Sequence, residues 1–563
     1  VSREGAVIGL VSVLWGCRTD SDVTASWPPD VTHSVTSADT ASETGSETGS
    51  ETETEVEAET GADSDSGGRT DTDLGCWEGD YTIADSDDVA VISRYSCVTG
   101  RLTVQGTALT GLDLPRLAFV GSDLDVIGNA AMARLAVGAL ATVGGRVQIE
   151  GNDALARLEL DGLTSVGSNL YLFDNASLTA LDGFSALGVV GGDLVVSLNP
   201  RLTEISGFGA LTTLPGDLAI VDNAALTAVT GFVNLSAVEG ELGVYYDDAL
   251  RSLRGLGGVT ECGALYIVGN GSLVRLDGLD GLAAVRGDVH IDDNPSLTDL
   301  RGLRGLTTVG GMLHLARNGA LVSLEGLGGL ATVGGWFWIQ SNALADLAGL
   351  GGLVSVDRLS LDYEPALTTL AGLSASAAIG KLVLAGNDAL TDLDGLAAAT
   401  SIDSLYVSGC AVTNLDALSA WTTLPGSLSL VGNGALTDIG GLRSLRSIGD
   451  SLSLSGNYAL GSLDGLGGLE SIGNELNITS TNSLHGLTAL ASVGGTVTLY
   501  ENSELTDLGA LAALSFVGGD LQVIGNYQLP QCEVCRFVER LSGFSGSLHS
   551  YYNLPDECSD TCI

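Results

Sequence analysis

The stretch Asn169-Leu-Tyr-Leu-Phe-Asp-Asn175-Ala-Ser-Leu-Thr-Ala-Leu-Asp-Gly-Phe-Ser-Ala-Leu-Gly-Val-Val-Gly-Gly192 decides the fold, because the residues after it, Asp193-Leu-Val-Val-Ser-Leu-Asn199, begin the same pattern again. With the first apolar residue of each such segment as reference, the pattern returns every 21–24 residues from Leu124 to Leu521. That makes 18 copies, with a degenerate one opening at Leu102. Repeats of this length build solenoids: one unit cannot bury its apolar face alone, and stacked units share a continuous core.

Each part of the unit has a physical reading. The Leu-x-Leu opening alternates in and out with period two, so it predicts a short strand with two inward residues. Five positions after the reference stands an asparagine: Asn129, Asn152, Asn175, Asn199, Asn223, Asn270, Asn294, Asn318, Asn342, Asn387, Asn433, Asn457, Asn502 and Asn526. A buried corner leaves backbone groups unpaired, and a stacked amide can bond the coils above and below it. These asparagines therefore read as a structural ladder. Asp247, Glu364, Cys410 and Thr481 occupy the slot in the other coils. Cys410, and Cys262 where other coils carry valine or isoleucine, read as buried thiols. Beyond the corner, apolar residues recur every three positions (Leu178, Leu181, Phe184, Leu187, Val190), which suits short extended or 3₁₀ segments around a narrow core. The paired glycines that follow, such as Gly310-Gly311 and Gly334-Gly335, predict a tight turn at positive φ.

This repeat resembles the receptor L-domain and leucine-rich-repeat superfamily in a bacterial tandem form, over about residues 97–527. Cys97-Val-Thr-Gly-Arg-Leu-Thr-Val104 is similar to an L-domain start. The resemblance implies a mainly β chain forming a right-handed parallel β-solenoid of 18–19 coils, used for recognition. The chain departs from animal receptor L-domains in being one uninterrupted run without a cysteine-rich module, so growth-factor binding does not carry over.

The ends have a different character. Ala6-Val-Ile-Gly-Leu-Val-Ser-Val-Leu14 is too short to span a bilayer. With Trp15-Gly16-Cys17 it resembles the lipobox of bacterial lipoprotein signals. Residues 1–17 are thus expected to be a lipoprotein signal peptide, with Cys17 the acylated residue. Residues 18–75, rich in Ser, Thr and Glu, hold 15 acids against two arginines. Such a segment cannot offset its ordering entropy and is expected to be a disordered acidic linker. Residues 76–101 read as an N-terminal cap, 102–527 as the solenoid and 528–563 as a cysteine-rich C-terminal cap. Cys532-Glu-Val-Cys535-Arg-Phe-Val-Glu-Arg-Leu541 predicts an amphipathic cap helix. Cys76, Cys97, Cys532, Cys535, Cys558 and Cys562 are expected to staple the two ends as disulfides, with the pairing open; zinc held by the C-terminal cysteines is the alternative.

The formal net charge is −46, and residues 76–563 alone carry 53 acids against 20 basic residues. Nucleic acid is excluded as a partner and membrane contact is confined to the lipid, since phosphate surfaces need a basic footprint. No nucleotide loop, zincin helix or nucleophile elbow is present. Asp292-Asp293 and Asp247-Asp248 read as corner and turn positions. No catalytic residue, metal or cofactor is expected.

The informative positions face outward on the strands, where the repeat imposes no residue. One past the reference stand Tyr266, His290, His314 and Trp338; one before it stand Met312 and Trp336. Strands lie about 4.8 Å apart, so these form one patch, bordered by Arg317 and Arg358. Exposed aromatics on a small-residue surface mark recognition sites, although cross-strand aromatics also stabilise sheets. The expectation is a monomeric, lipid-anchored recognition or adhesion protein, at the outer membrane or surface of a Gram-negative cell. It would bind an extracellular protein or glycan through this face. The alternatives are a structural rod or spacer of the envelope and a polysaccharide-active β-helix enzyme.

Overall fold

Each coil contributes one short strand to a single long parallel sheet. Leu170–Phe173 pairs with Val147–Glu150 on one side and Leu194–Ser197 on the other, so that Leu170 faces both Val147 and Leu194. The computed structural model describes residues 75–563 other than 398, 400, 482, 483, 559–561 and 563. The lipobox-like segment, Cys17 and the acidic linker through residue 74 lie outside the described residues.

The sheet holds 21 such strands, against the 18–19 expected. The additional two are Tyr81–Ile83 and Leu548–Tyr551, paired with the strands at Leu102 and Leu521. Sequence periodicity hides both. The first coil has no corner asparagine and folds a helix, Ser86–Ile92, in its place. The last is lengthened by the helix Gln531–Arg540, which buries Val534, Cys535 and Phe537.

Inward strand residues make the core. Leu265 and Ile267, Val289 and Ile291, Leu313 and Leu315, and Phe337 and Ile339 are all fully buried. Past the corner, the early coils use short strands such as Arg157–Glu159 and Glu204–Ile205. Later coils use 3₁₀ turns such as Arg301–Leu303 and Asp464–Leu466. Near the changeover Phe184, Phe208 and Phe232 stack face to face, 5.2 and 5.0 Å apart.

The corner asparagines tie successive coils together. The Asn294 backbone N–H donates to Oδ1 of Asn318 at 3.0 Å. Its Nδ2 donates to the Ile267 carbonyl of the preceding coil at 2.8 Å and to the Asp292 carbonyl at 3.0 Å. Its own Oδ1 accepts the Asn270 N–H at 3.0 Å, so the side chain supplies both an acceptor and a donor to the preceding coil while the backbone N–H reaches the next. Asn553 adds a rung after the 14 read from the repeat, accepting from the Asn526 backbone at 3.2 Å. Cys410 keeps part of the pattern with a weak thiol donor, its Sγ 3.6 Å from the Leu384 carbonyl. Asp247 accepts from the Asn223 N–H at 2.7 Å, but its Oδ2 is buried without a partner.

The tight turn lies elsewhere than the sequence predicts. The residue just before the corner carries positive φ: Asp174 at 56°, Leu198 at 55°, Asp293 at 56° and Arg317 at 54°, with glycine in other coils. Side chains vary at this position, so no pattern reveals it. The paired glycines instead mark a close approach between coils. A Cβ on Gly310 would lie 2.0 Å from the Arg286 carbonyl oxygen, and Gly310 does not have positive φ. Both ends are stapled: Cys76 to Cys97, Cys532 to Cys558, and Cys535 to Cys562. Disulfides therefore take up the C-terminal cysteines that zinc could have held. Cys262 and Cys410 are buried free thiols. Among the described residues no helix is long and apolar enough to cross a membrane.

Candidate functional site

The parallel register places outward side chains of successive coils directly above one another. Tyr266 pairs with His290, His290 with His314, and His314 with Trp338. The result is a column of rings. Tyr266 stacks on His290 at 4.8 Å and 7°, His290 meets His314 edge-on at 5.4 Å, and His314 lies 4.9 Å from Trp338. Tyr245, one coil earlier, extends the column at 6.1 Å from Tyr266.

Carboxylates brace these rings from the outward position two residues further along each strand. Asp292 Oδ2 lies 3.3 Å from Nδ1 of His290 and 2.9 Å from Nδ1 of His314. Burial alone would raise the Asp292 carboxyl, but the bonds from the two rings outweigh it and hold the group below the ordinary range. Asp292 is therefore a strand-face residue and not the corner position read from the sequence; only Asp293 lies in the turn. In the same way Asp362 Oδ2 accepts from the Trp338 indole N–H at 2.6 Å and from Ser360 Oγ at 3.1 Å. At the other end of the column Glu241 accepts from the Tyr245 hydroxyl. Burial raises the Tyr266 hydroxyl to about 12, so it stays a neutral donor at physiological pH.

A second row runs alongside, one residue before each reference. Trp336, Arg358 and Lys381 are in register on three successive strands. Trp336 is 46% exposed, far more than its neighbours in the column. The Arg358 guanidinium lies 4.6 Å from the centroid of the Trp336 ring. Lys381, the only lysine in the chain, sits 3.7 Å from the Tyr406 ring centroid. The row thus changes from acidic, with Glu241 and Asp288, to basic over a few coils. Met312 stands between them, partly buried, its N–H on Asp288 Oδ1 at 2.7 Å.

Of the eight residues singled out from the sequence, seven share this face. Arg317 is set apart: it occupies the positive-φ turn, where both arms of its guanidinium hold Asp293 at 2.7 Å. Six members of the site were missed: Glu241, Tyr245, Asp292, Asp362, Lys381 and Tyr406. Lys381 and Tyr406 could have been found by carrying the same two register positions beyond Trp338.

No protein-family model matches the chain, and no curated protein is detectably similar in sequence. Among solved structures, an internalin (inlF) from Listeria monocytogenes is 17% identical, covering 58% of this chain and 77% of its own, with a TM-score of 0.31. A leucine-rich-repeat protein of Leptospira interrogans is 13% identical, covering 71% and 88%, with a TM-score of 0.21. TLR13, solved as its complex with ssRNA13, is 14% identical, covering 81% and 85%, with a TM-score of 0.20. At these scores the solenoid stands on its own register and ladder, and the likeness adds nothing to the reading of the site.

Proposed function

We propose that the chain is a recognition module that binds an extracellular protein or glycan through the strand face running from Tyr266 to Lys381. The observation that carries this reading is Trp336. It is the one tryptophan among the described residues that stands exposed, and a guanidinium is packed on its ring. Such a platform suits a sugar ring or an apolar anchor, and the adjoining cations suit a carboxylate on the same ligand. Binding is the module's role, and no reaction is assigned to it. Anchoring by a lipid on Cys17 at the cell envelope, with the acidic linker holding the solenoid away from the surface, belongs to the same proposal. It rests on the lipobox-like sequence.

The test is to probe the full chain, and its Trp336→Ala and Trp338→Ala variants, against immobilised envelope polysaccharides and surface proteins. Binding lost in both variants is the expected outcome, with thermal stability little changed in Trp336→Ala and lowered in Trp338→Ala, which removes the indole donor to Asp362. Binding unchanged in both would remove this face from the account. The second reading, a structural spacer, is favoured by the side-chain ladder that links most successive coils, and the same experiment would leave it standing.

A further inference from the structure

Beneath the exposed row lies a cluster with a different chemistry: His290, Asp292 and His314. The sheet assembles it by register alone. His290 and Asp292 are two residues apart on one strand, so they point to the same side. His314 is the in-register neighbour of His290 on the next strand. The two Nδ1 atoms lie 3.3 and 2.9 Å from a single carboxylate oxygen, and one ligand atom from each of the three residues lies within 4.8 Å of the others. In a tetrahedral site with bonds of about 2.0–2.1 Å, neighbouring ligand atoms sit roughly 3.3 Å apart. A small cation therefore fits with only slight movement.

The cluster is also held in place. The second Asp292 oxygen, Oδ1, accepts the Ala316 N–H at 3.1 Å, which fixes the carboxylate and leaves Oδ2 to the rings. Tyr266 stacks on the outer side of His290 and Trp338 packs at a tilt against that of His314, which restrains both imidazoles. With neutral rings the cluster carries one negative charge, mostly buried, in a strongly acidic chain. That field attracts cations.

We propose that His290, Asp292 and His314 form a site for a divalent transition-metal ion of the Zn²⁺ class, with the fourth position open to water or to a group on a partner. Two imidazoles and one carboxylate suit Zn²⁺, Co²⁺ or Ni²⁺, whereas Ca²⁺ and Mg²⁺ require a shell of oxygens. Each ring coordinates through Nδ1, with its remaining proton on Nε2. On His314 that Nε2 is buried without a partner. The outer hydrogen bond that normally supports a metal-bound imidazole is thus missing there, and affinity is expected about 10–100-fold below that of a fully supported site. This site shares the face assigned to recognition but does not depend on it.

The experiment uses the full chain stripped with a chelator and the metal alone as probe. Equilibrium dialysis is expected to find about one Zn²⁺ per chain, and Co²⁺ to give the intense visible bands of a tetrahedral site. His314→Gln and Asp292→Asn should each weaken binding by at least ~10-fold, while His485→Gln leaves it unchanged. Absence of bound Zn²⁺, or undiminished binding in His314→Gln, overturns the proposal. If the variants misfold by circular dichroism, the unaltered chain decides: no Co²⁺ bands, no site. Loss of glycan or protein binding in the Trp336→Ala chain with Zn²⁺ uptake intact would separate the two readings.

Discussion

The strands from Leu265 to Phe337 and those from Leu428 to Val497 lie in one sheet and share one register. Their inward residues are interchangeable: Ile291 in the first stretch and Leu454 in the second are both fully buried. Their outward residues are not. The first presents Tyr266, His290, His314 and Trp338, the second Ser429, Ser453, Asn477 and Thr498. The fold imposes the inward residues and leaves the outward ones free, so a cluster of large side chains on the outward face is a departure that folding does not require.

The largest effect expected is one that should not distinguish the stretches. Ile291→Ala and Leu454→Ala should each cost about 2–5 kcal/mol, because both leave a cavity in the same continuous core. Chemical denaturation measures this, and a clear disparity between the two would mean that the coils are not equivalent.

Next comes Trp336→Ala. If the ring is an anchor, ligand binding should weaken by about 2 kcal/mol or more, while unfolding shifts much less than for Ile291→Ala.

Asp247 supplies a pH-dependent comparison with the asparagines of the same ladder. Burial raises its carboxyl to about 8, and its Oδ2 can act as a donor only when protonated. A raised acid pKa stabilises the fold fully below the unfolded value near 4, and that contribution is lost as pH climbs to about 8. Asp247→Asn restores the amide donor. It should leave stability little changed at pH 4 and raise it by about 1–3 kcal/mol at pH 8, read from thermal unfolding across that range. The smallest effect is expected at Ser453→Ala, within about 0.5 kcal/mol and with no change in binding.

What the sequence made legible follows the same division. Positions repeated in every coil could be read directly: inward leucines, corner asparagines, the three-residue spacing. Asp292 could not, because its role depends on His314, which adjoins it only once the strands are in register. The left-handed residue before each corner escaped because Asp, Leu, Tyr, Arg and Gly all fill it. The glycine pairs were misassigned because a close approach and a positive φ select the same residue. Cysteine pairing at the C-terminus needed the helix, which carries Cys532 and Cys535 to partners 26 and 27 residues away.

Oxidative footprinting of the chain, free and bound to a ligand found on the polysaccharide and protein panel, bears most directly on where function resides. Trp336 should lose reactivity on binding, while Tyr458 and Tyr527, exposed at 69% and 62%, keep theirs. Protection of Tyr458 or Tyr527 with Trp336 still fully reactive would place recognition on another surface and contradict the account.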